Sequence, residues 1–119
     1  MRILVVDDDE DIRLPIAEII RNFGWEAQTC TNGKEALEYL EKQDFSLVFL
    51  DLVMPEMGGV ETLCEIQRRK INVRTIVLSG NMTRDLLAQC KKFGARRFIE
   101  KPFEVSDIES ILKGEKARS

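Results

Sequence analysis

The chain contains no histidine in its 119 residues. That excludes a Ser-His-Asp or Cys-His site assembled within the chain, and it excludes imidazole metal ligands. Cysteine is sparse: Cys30, Cys64 and Cys90 are far apart, odd in number and form no C-x-x-C pair. Three reduced thiols, buried or half-buried, are the natural reading. No apolar run approaches the roughly 18–20 residues of a membrane span. The start, Met1-Arg2-Ile3-Leu4-Val5-Val6, gives way at once to acids and is too short for a secretion signal. An excess of basic charge is also missing: 18 Lys+Arg face 21 Asp+Glu, a net charge of −3. No electrostatic case for direct nucleic-acid binding follows from that balance. There is no Pro/Gly/Ser-rich linker, repeat or low-complexity stretch. The expectation is a cytoplasmic protein without membrane insertion, whose chemistry uses carboxylates, hydroxyls, lysine or thiols.

What is present is an alternation of short apolar runs with helical patterns. Ile3-Leu4-Val5-Val6 reads as a strand buried on both faces. Ile12, Ile16, Ile19, Ile20 and Phe23 then fall on one helical face, stopped by Gly24. Pro15 inside that pattern removes a backbone donor and predicts a kink, or a carbonyl turned to solvent or to a side chain. Glu26 to Cys30 is a second strand. Asn32-Gly33-Lys34-Glu35 has the form of an N-cap with Glu three residues on, opening a helix through Ala36, Leu37 and Leu40. Phe45 to Leu50, Thr75 to Leu78 and Phe98-Ile99 read as further strands. Helices are expected around Val60–Ile66, Leu86–Phe93 (stopped by Gly94) and Val105–Leu112. Five strands alternating with five helices imply an α/β parallel sheet with helices on both faces. One domain over residues 1–119 is expected, with a core over 2–112 and a short polar tail over 113–119.

In such a sheet the functional crevice lies beyond the carboxyl ends of the strands. Strand one ends in Asp7-Asp8-Asp9-Glu10-Asp11, strand three in Asp51, strand four in Ser79-Gly80-Asn81 and strand five in Glu100-Lys101-Pro102. Each has an ordinary explanation: helix capping for the acidic run, turns for Asp51 and Ser79, a solvated side chain for Lys101. Together they would place Asp7, Asp8, Asp51, Ser79 and Lys101 on one edge. Like charges about 4 Å apart repel by roughly 4 kcal/mol at an effective dielectric of 20. Lys101 offsets part of that repulsion and a divalent cation would offset more; all-oxygen ligands favour Mg²⁺. A hydroxyl, a lysine and a cation suit a phosphoryl group, and a remaining carboxylate can act as nucleophile toward phosphorus.

At this point the motifs resemble those of response regulator receiver domains of two-component systems. The resemblance rests on Ile3-Leu4-Val5-Val6-Asp7-Asp8, Asp51-Leu52-Val53-Met54-Pro55-Glu56-Met57-Gly58-Gly59, Leu78-Ser79-Gly80 and Lys101-Pro102-Phe103, and covers about Arg2 to Leu112. It implies a flavodoxin-like (βα)5 three-layer sandwich with strand order 2-1-3-4-5. It also implies that Asp51 accepts a phosphoryl group from a phosphohistidine on a sensor histidine kinase or histidine phosphotransfer protein. Asp8, Asp51 and the Val53 backbone carbonyl would bind Mg²⁺, with Asp7 acting through a metal-bound water. Lys101 would contact the phosphoryl oxygens, Ser79 would hydrogen-bond them after transfer, and Phe98 would be the switch aromatic. Val53 and Asn81 would govern access of hydrolytic water. The Lys101-Pro102 peptide would be cis. The output would be a change in the face made by the fourth helix, fifth strand and fifth helix, which binds a downstream protein, as a monomer or a phosphorylation-dependent dimer. Ser79 where Thr is also common, Phe98 where Tyr is frequent, and Pro15 beside a kinase-docking surface are departures from the usual pattern.

Two other readings compete. Asp7-x-Asp9 after a strand, with Ser79 and Lys101 at later strand ends, also resembles a small haloacid-dehalogenase-type phosphatase with Asp7 as nucleophile and Asp9 as acid/base. That reading leaves Asp51 without a role and lacks room for a substrate cap. A flavin-binding module or inert scaffold is the third, but acids follow strand one where a flavin phosphate would need a Gly/Ser/Thr-rich loop.

Overall fold

The computed structural model describes residues 1–54 and 56–118; Pro55 of the Asp51–Gly59 motif and Ser119 of the expected tail lie outside the described residues. The elements are β1 (Arg2–Val6), α1 (Glu10–Asn22), β2 (Glu26–Cys30), α2 (Gly33–Lys42), β3 (Leu47–Asp51), α3 (Gly59–Arg68), β4 (Arg74–Ser79), α4 (Arg84–Lys92), β5 (Arg97–Glu100) and α5 (Val105–Arg118). All strand pairs are parallel, in the order β2-β1-β3-β4-β5. This is the flavodoxin-like arrangement the motifs imply.

The central strands β1, β3 and β4 are buried at nearly every position because both faces are covered, and their two-residue period sorts the side chains into two cores. Ile3, Val5, Leu47, Phe49, Ile76 and Leu78 point to one face and meet Ile16, Ile20, Ile108, Ile111 and Leu112 of α1 and α5. Leu4, Val6, Val48, Leu50 and Val77 point to the other and meet Leu37, Leu40, Leu63, Ile66 and Cys90 of α2, α3 and α4. Each such side chain taken from water contributes about 1.5–3 kcal/mol, so the two layers on the sheet are the main stabilising term. Cys30 and Cys90 are buried and Cys64 half-buried, all as free thiols; desolvation pushes the Cys30 thiol up to about 12.

Local signals set the helix ends. Asp9 caps α1 through Asp11 N–H, Asn32 caps α2 through Glu35 N–H, and Thr83 caps α4 through Leu86 N–H. Gly24 and Gly94, with φ of +83° and +90°, turn the chain after α1 and α4 where a Cβ would be strained. Pro15 does not interrupt α1; it sits on the exposed side, so the carbonyl it leaves unbonded faces solvent.

The expected tail is corrected over 113–118: the last helix does not end near Leu112, and α5 runs through Arg118. Ile108, Ile111 and Leu112 trace an inward stripe whose next helical position is Glu115. Glu115 is buried and accepts hydrogen bonds from Arg74 Nε, at 2.8 Å, and from Arg74 Nη2. The apolar pattern ends at Leu112, but an ion pair continues the same packing face.

Candidate functional site

Every strand of a parallel sheet ends at the same edge, and there the chain gathers its acids. Asp7 follows β1 and Asp51 closes β3; their exposures are 0% and 5%. Asp8 is exposed at the mouth. Carboxylate oxygens of Asp7, Asp8 and Asp51 lie within 4.8 Å of one another. Lys101, just beyond β5, reaches in between them. Its Nζ donates to Asp7 Oδ2 at 2.9 Å and to Asp51 Oδ1 at 3.2 Å. The Lys101-Pro102 peptide is cis.

The electrostatics follow from this count of charges. Burial, and then the charge of Asp7, push the Asp51 carboxyl above its ordinary value; Lys101 opposes both. For Lys101, burial would lower the pKa, but the Asp7 hydrogen bond and the charges of Asp51 and Asp7 together outweigh it and raise it. One ammonium therefore serves three carboxylates and leaves the cluster negative. An all-oxygen donor set with surplus negative charge fits a hard cation such as Mg²⁺.

The remaining residues build the frame. Asp7 is fixed on every side: its N–H donates to the Cys30 carbonyl at 3.2 Å, its Oδ1 accepts from Asp9 N–H at 3.0 Å, and its carbonyl accepts from Arg13 Nη1 at 2.9 Å. Below Asp51 the chain turns into α3 with almost no clearance. A Cβ on Gly59 would fall 2.4 Å from the Asp51 carbonyl oxygen and 2.7 Å from Leu52 Cα, so glycine is the residue that lets α3 start there. Ser79 ends β4 and is buried; its Oγ accepts from Asn81 N–H at 3.2 Å, and its carbonyl accepts from Lys101 N–H at 2.8 Å. Serine and lysine are thus joined through backbone. Val53, 78% exposed, and Asn81, also exposed, flank the opening. Phe98 stands apart from the acids, half-buried on β5 opposite Val77, with Lys91 Nζ 6.0 Å from its ring centroid.

Pattern reading of the sequence did not find Arg13, whereas the helix capping it offered for the acidic run is what Asp9 does. The available signal for Arg13 was position: Asp9 directly precedes α1, and Arg13 lies one turn into it. Because the exposed carboxylate of Asp9 caps the helix, it is poorly placed for the acid/base role a phosphatase would give it. A cleft of about 750 Å³ opens at the opposite edge of the sheet, among Phe45, Ser46, Arg69 and Asn72, remote from these acids.

A doubly wound sheet with acids and a lysine at its carboxyl edge defines a class, the CheY-like flavodoxin fold. Residues 3–113 match the family model of the response regulator receiver domain, and the chain belongs to that family, a signal-transduction domain of two-component systems. It is 36% identical over 112 residues to the chemotaxis protein CheY of Thermotoga maritima, covering 93% of each chain. It is 31% identical over 112 residues to the sporulation initiation phosphotransferase F of Bacillus subtilis, covering 94% of this chain and 90% of that one. A CheY-like receiver domain protein from Methanospirillum hungatei superposes with a TM-score of 0.89 at 27% identity, covering 96% of this chain and 91% of that one. Family membership leaves the phosphatase alternative without support. Among the described residues, no helix is long and apolar enough to cross a membrane.

Proposed function

We propose that this chain is a phosphorylation-operated switch in which Asp51 takes a phosphoryl group from a phosphohistidine of a sensor histidine kinase or histidine phosphotransfer protein. The observation that carries the reading is the single ammonium of Lys101 set between Asp7 and Asp51, with Asp8 completing the acid cluster. The absence of histidine from these 119 residues fits a donor supplied in trans. A phosphotransferase among its relatives supports the same chemistry, and the family supports a cytoplasmic setting.

In the transfer, an Asp51 carboxylate oxygen attacks phosphorus. A P–O bond forms, the P–N bond to the donor imidazole breaks, and that nitrogen keeps the bonding pair and takes up a proton. Asp7, Asp8, Asp51 and the Val53 carbonyl would hold Mg²⁺, which when bound neutralises charge on the phosphoryl oxygens. Lys101 exchanges its contact with Asp51 for a phosphoryl oxygen. Ser79, released from Asn81 N–H, donates its hydroxyl to another. Its displacement opens space for Phe98 to turn inward, and the face of α4, β5 and α5 changes shape for a downstream protein. Val53 and Asn81 set the access of water that ends the signal; Val53 offers no polar group to orient it and Asn81 does, which favours slow to moderate self-dephosphorylation.

Incubation with Mg²⁺ and acetyl phosphate tests this directly. Intact mass should show one added phosphoryl group on the wild type and none on Asp51→Asn. Equal labelling of both proteins, or a trifluoroberyllate adduct seated on Asp7, would overturn the assignment.

A further inference from the structure

Residues 86–99 hold four cations, Lys91, Lys92, Arg96 and Arg97, and no acid, in a chain whose net charge is −3. All four are exposed, at the end of α4 and the start of β5. Elsewhere Arg2, Arg68, Arg69 and Arg74 are each matched by a glutamate within 3.0 Å. Among the described residues none of these four is paired with a carboxylate; the two lysines lie instead over the rings of Phe98 and Phe93. Uncompensated like charge on one surface is unfavourable for the isolated chain and favourable for meeting an opposite charge.

Beside these cations runs a groove of about 520 Å³ between β5 and α5, floored by Phe98, Ile99 and Ile111 and edged by Arg97, Glu100 and Asp107. We infer that the partner docking here presents an acidic protein segment carrying an apolar anchor. The acids would lie over Lys91, Lys92, Arg96 and Arg97, and the anchor would enter the groove against Phe98. Glu100 and Asp107 oppose a continuous phosphodiester chain, which would run its charge across them, but leave room for a peptide whose acids are confined to one end. The inference rests on reading this face as the output surface, and it adds the chemistry of the partner.

Fluorescence anisotropy with a short labelled peptide, Glu/Asp at one end and a Leu-Phe pair at the other, provides the test. Its isostere with Gln/Asn is the comparison. At about 50 mM salt the acidic peptide should bind about tenfold more tightly than the isostere, and most of that advantage should vanish by about 300 mM. The double variant Arg96→Ser/Arg97→Ser should lose the advantage while keeping its far-ultraviolet circular dichroism; Lys34→Gln/Lys42→Gln on α2 should keep it. Equal binding of the isostere would overturn the inference. So would tighter binding of duplex DNA or phosphatidylserine vesicles through the same arginines, or self-association in sedimentation that those arginines abolish. An acid preference unaffected by trifluoroberyllate on Asp51 supports the inference and contradicts the switch. A trifluoroberyllate response with no acid preference does the reverse.

Discussion

Two groups of charge are sequestered at opposite edges of the same sheet. At the amino edge Arg74 meets Glu115, one cation to one anion, and the pair closes the packing of α5. At the carboxyl edge one lysine meets two aspartates, Asp7 and Asp51, and a third, Asp8, lies beside them. A balanced pair satisfies itself and serves the fold. An unbalanced cluster costs stability in the free protein and gains only when a cation or a reacting group arrives. The ratio of charges, more than their burial, distinguishes structure from function here.

The largest effect that would break this comparison is on phosphoryl incorporation. Asp51→Asn should reduce it by more than a hundredfold, while Glu115→Gln should leave it within twofold, both read by intact mass after acetyl phosphate treatment. Next comes stability. Glu115→Ala leaves the Arg74 guanidinium without its partner and should cost about 2 kcal/mol in urea denaturation, with loss of helical signal from the end of α5.

The acid cluster should behave oppositely. Asp51→Asn, measured in a chelator, should stabilise the fold by about 1 kcal/mol by removing one like charge. The sign with pH comes from the raised Asp51 carboxyl. The folded state holds that proton more tightly than the unfolded state, so the penalty is present above the folded value. It fades as pH falls through that value toward the ordinary aspartate range. The advantage of Asp51→Asn should therefore shrink on mild acidification, and a constant difference across that window would contradict the charge argument. The smallest expected effect concerns the rim: Asn81→Ala or Val53→Asn should change the phosphoryl half-life a few-fold without changing the melting temperature. An unchanged half-life would remove both residues from the control of water.

Much of this was legible in the sequence because the signals were physical. Runs such as Ile3–Val6 and Leu47–Leu50 have to be covered on both faces, and a parallel sheet brings the residues at their carboxyl ends to one edge. Even β2, whose Glu26–Cys30 run is not strongly apolar, forms because an edge strand is asked only to pair with β1 and bury Cys30. The reading stopped short where polar residues did apolar work. Glu115 continues the inward stripe of α5 only because Arg74, forty-one positions away, stands opposite it. Arg13 and Asp9 hold Asp7 through backbone groups, and backbone geometry leaves no trace in residue type.

The clearance beneath Asp51 carries a consequence for anyone who would retune this protein. With Gly59 pressed against the Asp51 carbonyl, the floor of the β3–α3 corner has no slack, and a single added carbon would tilt the aspartate itself. In the proposed switch, reactivity would be adjusted from the rim, through side chains facing solvent. Engineering from underneath would move Asp51 before it changed anything around it.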